Sequence, residues 1–117
     1  GRFNPEDESW QTAQVGGYTG CMADSGEDGL LWMSTGSGIQ GLDRETLQVE
    51  QSCPNTNGSY GISIDFQGFV WAVASGSNAN RVNPETCEYQ TYSGLTGAYT
   101  YSDMTGYALS NAGSAAN

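Results

Sequence analysis

The stretch that decides the fold is "YGISIDFQGFVWAVASGSNANRVNPETCEYQT", residues 60–91. It leads from Tyr60 through Ile62-Ser63-Ile64 to Asp65 and Gly68, a pairing that suits a tight turn. The apolar run Phe69-Val70-Trp71-Ala72-Val73 follows, and then the Gly/Ser turn Ser75-Gly76-Ser77-Asn78. A short strand next ends in the polar turn Val82-Asn83-Pro84-Glu85-Thr86, and Cys87-Glu88-Tyr89-Gln90-Thr91 reads as a last strand. Short β-branched and aromatic runs between turn residues, with no long helix-forming segment, predict an all-β chain.

Working outward, the same order recurs. Tyr18 leads to Asp24 and Gly29, then to Leu30-Leu31-Trp32-Met33, the turn Thr35-Gly36-Ser37-Gly38, the polar turn Leu42-Asp43-Arg44-Glu45-Thr46 and the strand Leu47-Gln48-Val49. Four short strands in each stretch of about 40 residues are the signature of a β-propeller blade. A third copy opens at Tyr99, passes Tyr101, Asp103 and Gly106, and reaches Tyr107-Ala108-Leu109. Its second half reads upstream of everything else: Phe3-Asn4-Pro5-Glu6-Asp7 matches Val82 to Thr86, and Trp10-Gln11-Thr12 matches Tyr89 to Thr91. The expected units are therefore 11–49, 50–89, and a split blade of 90–117 plus 1–10.

Propellers close with four to eight blades, and three cover only part of a ring. The expectation is a homo-oligomer in which each split blade takes its inner strands from one chain and its outer strands from the next. Two copies would give six blades in a head-to-tail ring. Phe3, Trp10, Tyr99, Tyr101, Tyr107 and Leu109 are the expected interface residues. The "SNAGSAAN" tail has the composition of a linker or of an opened loop, which suits an engineered or circularly permuted fragment.

The blade text resembles the virginiamycin B lyase-like and NHL-repeat propellers, carried by Ile62 to Trp71 and by Arg81-Val82-Asn83-Pro84-Glu85-Thr86. The resemblance implies a propeller fold. It implies lyase chemistry with histidine and a metal in some members, but this chain has no histidine. No catalytic or cofactor-binding residue is expected, and the expected activity is non-catalytic. The alternative is a module binding carbohydrate or peptide, descended from a secreted bacterial propeller, or a fragment of a lyase-like enzyme.

A net charge of −10, with Arg2, Arg44 and Arg81 as the whole basic complement, disfavours nucleic-acid and anionic-membrane partners. The expected partners are copies of the same chain. The oxygen-rich run Asp24-Ser25-Gly26-Glu27-Asp28-Gly29 is the calcium candidate, with Asp24, Glu27 and Asp28 as ligands, although it lacks EF-hand spacing. Recurrent aspartates at turns otherwise accept backbone N–H groups, and Trp32 and Trp71 are expected to pack between blades. Cys21, Cys53 and Cys87 make an odd count, leave the pairing open and fit no metal-ligand spacing. The composition is compatible with a secreted or periplasmic origin and does not fix one.

Overall fold

The computed structural model describes residues 1–17, 22–26, 29–56, 60–73 and 76–98. Among these the chain is all-β, without helix, and every strand pairing is antiparallel. Strands β1 (Arg2–Asn4) and β2 (Ser9–Gln11) form an N-terminal hairpin. A first meander takes β3 (Met22–Asp24), β4 (Leu31–Ser34), β5 (Gly38–Leu42) and β6 (Val49–Pro54) in that order. A second takes β7 (Gly61–Ile64), β8 (Val70–Val73), β9 (Gly76–Val82) and β10 (Tyr89–Ala98). The outer strands β6 and β10 run several residues past 49 and 89, where the expected units divide. Residues 99–117 lie outside the described residues.

One turn occurs three times, and its sequence explains its shape. Asn4 Oδ1 accepts from the Glu6 amide, Asp43 Oδ1 from the amides of Glu45 and Thr46, and Asn83 Oδ1 from those of Glu85 and Thr86. Three residues further on, Asp7, Thr46 and Thr86 use a side-chain oxygen to accept the amides of Ser9, Gln48 and Glu88. Between those anchors the backbone enters the left-handed region at Glu8, Leu47 and Cys87, with φ of 58°, 57° and 59°. Short polar side chains that bond their own backbone make this geometry local. Hairpin β1-β2 thus has the same form as β5-β6 and β9-β10.

Side chains alternate across a strand, so each meander has two faces. The face of the second meander carrying Ile62, Ile64, Val70, Ala72 and Val82 packs on Trp32, Ile39 and Cys53 of the first, making one shared core. Each buried isoleucine or valine there contributes about 1.5–3 kcal/mol. Asn80 is buried at this junction but satisfied: its Nδ2 donates to the Thr56 carbonyl at 2.6 Å, and its Oδ1 accepts from Thr91 Oγ1 at 2.8 Å. A Cys53–Cys87 disulfide links β6 to the third turn across the same junction. The opposite face of the first meander receives the N-terminal hairpin. There the Gly16 amide donates to Gln40 Oε1 at 3.0 Å, and Leu42 and Leu47 line a cavity of about 260 Å³ together with Ala13 and Val15.

Candidate functional site

The layers therefore run hairpin, first meander, second meander, and the outward face of the second meander is covered by no described residue beyond its own sheet. Its central row is Ser63, Trp71, Arg81 and Gln90, read across the four strands. Asp65, one residue beyond β7, organises it. Asp65 Oδ1 accepts the amides of Gln67 at 2.9 Å and Phe69 at 3.0 Å, while Oδ2 accepts Trp71 Nε1 at 3.0 Å and Arg81 Nε at 2.8 Å. Burial pushes this carboxyl up, but the bonds from Trp71, Arg81, Phe69 and Gln67 outweigh it and hold it below its ordinary 3.8. A carboxylate with both oxygens so engaged is a brace, and it offers no lone pair aimed at a substrate proton.

Arg81 is fixed three ways. Besides Asp65, its guanidinium donates to Gln67 Oε1 at 2.5 Å and stacks 3.6 Å above the centre of the Phe69 ring. The Tyr92 ring lies 5.1 Å from that of Trp71 and is itself 46% exposed. Beside this group, Phe69, Arg81, Asn83, Glu88 and Gln90 border a hollow of about 420 Å³.

The matching face of the first meander shows what such a surface does when covered. Trp32 holds the place of Trp71, Gly41 that of Arg81 and Gln51 that of Gln90, by the ladder register. Trp32 is only 3% exposed, and Gln51 Nε2 crosses to the second meander, donating to the carbonyls of Pro84 at 3.0 Å and Glu85 at 3.3 Å. Gly41 suits the crowding: a Cβ there would meet Leu30 Cδ1 at 2.7 Å and the Trp32 ring at 3.1 Å.

Of the expected calcium ligands, Asp24 ends β3 and its Oδ1 is engaged by the Arg44 guanidinium and the Gly26 amide. Glu27 and Asp28 lie outside the described residues. Among the described residues no group of three or more His, Cys, Asp or Glu side chains is arranged to hold a metal. Asp24 and Asp65, read as equivalents, are offset by one residue in the ladder. The Ser25 amide bonds the Leu30 carbonyl where the Asp65 amide bonds that of Phe69, because the loop after Asp24 is longer.

Of the expected interface residues, Phe3 and Trp10 pair across the hairpin with ring centres 5.1 Å apart and are 46% and 69% exposed. Tyr99, Tyr101, Tyr107 and Leu109 lie outside the described residues. Sequence reading left the cysteine pairing open and missed the Asp65–Trp71–Arg81 brace. Its one signal was the arginine two positions before the turn asparagine, at Arg2 and again at Arg81. No family model, curated protein or solved structure matches the chain.

Proposed function

We propose that the chain is a non-catalytic, self-assembling β-propeller scaffold. The N-terminal hairpin supplies the outer strands of a four-stranded blade whose inner strands, within residues 99–117, belong to a neighbouring copy. Two copies make a six-bladed ring. The supporting observation is the repeated turn: the hairpin shares with the two meander turns the amide bond to the turn's Asn or Asp, the side-chain bond three residues on and the left-handed residue, and it has no inner strands among the described residues. Native mass spectrometry tests this, with a homodimer expected at micromolar concentration. A stable folded monomer would overturn the reading.

A second reading rests on the hollow beside Arg81. Its volume of about 420 Å³ falls in the range of small-ligand sites, and Phe69 with Tyr89 offers aromatic surface. A carbohydrate or peptide ligand would then occupy it. Binding on a glycan array that Phe69→Ala abolishes would favour this reading over pure assembly.

A further inference from the structure

Two junctions in the molecule are built alike. At the first, Gln11 Nε2 donates to the Thr46 carbonyl at 3.1 Å and Arg2 to the Arg44 carbonyl at 2.5 Å. At the second, Gln51 donates to the carbonyls of Pro84 and Glu85. In both, a glutamine on the outermost strand reaches the repeated turn of the following sheet. Gln11 and Gln51 hold one ladder position, opposite Arg2 and Gly41.

A second juxtaposition repeats beside the first. Two residues after each glutamine, the chain lies on the side of the left-handed residue of that same turn. Ala13 and Leu47 line one cavity, and Cys53 is bonded to Cys87.

The pattern leaves one glutamine and one turn over. Gln90, opposite Arg81, holds the same ladder position but reaches no turn among the described residues. The turn from Asn4 to Glu8 receives no glutamine among them. The two lie at opposite ends of the stack of layers, so the same chain cannot join them without breaking the two junctions already made.

We propose that the open face of the second meander seats the Asn4–Glu8 turn of a second copy, with Gln90 donating to the carbonyls of Pro5 and Glu6 and Tyr92 lying against Glu8. The proposal rests on the self-assembly reading and specifies its contacts. The charge of Arg81 is matched within the seat by Asp65, so the two surfaces would meet through hydrogen bonds and apolar contact. On the hairpin, Arg2 and Gln11 point to the first meander, so Phe3 and Trp10 face the other way, toward the seat. Phe3 holds the ladder place of Leu42 and Val82, both buried in their junctions.

The staple between Cys53 and Cys87 supplies the test. In a Cys21→Ser background, Glu8→Cys and Tyr92→Cys place thiols at the corresponding positions of the open step. In a glutathione redox buffer at micromolar protein, the double variant should form a disulfide between copies. Its yield should exceed that of either single variant by roughly tenfold or more, because a seated pair sees a far higher effective concentration. Peptide mapping should place the link between positions 8 and 92 of different chains. Unlinked thiols in folded protein, or a link within one chain, would overturn the proposal.

Gln90→Ala gives a readout that needs no new cysteine. Each junction should weaken by about 2- to 12-fold, the loss of one neutral donor shared between two carbonyls. An unchanged dissociation constant would count against the seat. Light scattering on the unaltered chain separates the two ideas. An oligomer without the 8-to-92 link rejects this seat alone, whereas a folded monomer rejects self-assembly as well.

Discussion

Trp32 and Trp71 occupy one place in two sheets, yet their surroundings differ. Trp32 is roofed by the second meander and has Gly41 beside it. Trp71 has Arg81 at that neighbouring position, ties its indole N–H to Asp65 and lies against Tyr92. Backbone register is common to both, so the difference resides in the covering. Where a sheet sits above, a glycine leaves room for the Trp32 and Leu30 side chains beside it; where none of the described residues does, polar and aromatic side chains hold one another in place. The repeat thus fixes strand geometry, while the residues around each tryptophan report what lies over it.

Truncating each tryptophan is the most forceful way to break that comparison. In urea denaturation at low protein concentration, Trp32→Ala should cost about 3–5 kcal/mol, the range for a buried aromatic whose cavity cannot collapse. Trp71→Ala should cost about half as much, because part of its surface already meets solvent. Equal losses would mean that Trp71 is as deeply covered in solution as Trp32, and that the two faces are alike.

Acid sharpens the same contrast through Asp65. Its carboxyl is held below the ordinary 3.8, so the folded state binds its proton less readily than the unfolded chain does. Its contribution is therefore present above pH 3.8 and is lost as pH falls through the lower folded-state value. Asp65→Asn should cost about 1–3 kcal/mol at pH 7, where hydrogen bonds to a charged group are lost. It should also flatten the fall in urea midpoint between pH 5 and 3. Some acid sensitivity should remain, since the Thr46 amide and hydroxyl hold Asp43 low, and the Ser9 hydroxyl and amide hold Asp7 low. An unaltered pH profile in the variant would show that the brace contributes nothing to folding.

The sequence revealed most where structure is local. The turn at Asn4, Asp43 and Asn83 is written in a few consecutive residues that bond their own backbone, so matching text gave matching geometry. Strand positions around Leu31 and Val70 were legible for the same reason, since an apolar run between turns has few alternatives. What could not be read depends on chain segments meeting across layers. Cys53 and Cys87 are 34 residues apart and come together only because the third turn lies over β6. Asp65 gathers Trp71 and Arg81 from two other strands, and its spacing to Gly68 and Trp71, shorter than that of Asp24 to Gly29 and Trp32, does not say that Arg81 is its partner or that Arg44 is the partner of Asp24. The one-residue offset between those aspartates goes with the longer stretch from Asp24 to Gly29, whose length is legible but whose effect on register is not.

The smallest effect concerns the left-handed residue of the turn, which the three copies fill differently. Leu47 is buried under the hairpin and Cys87 is bonded to Cys53, so each side chain offsets the strain of its backbone. Glu8 has the same φ with an exposed side chain. A non-glycine residue in this region costs roughly 1–2 kcal/mol, and glycine returns about 0.5–1 kcal/mol of that through its looser unfolded chain. Glu8→Gly should therefore raise stability by up to about 1.5 kcal/mol, a gain of a few degrees in Tm. Leu47→Gly should destabilise, because it also gives up roughly 1.5–3 kcal/mol of buried surface. The sign at position 8 is informative in itself. If glycine there destabilises the assembled protein but stabilises it on dilution, Glu8 is held by another copy in the way Cys87 is held by Cys53.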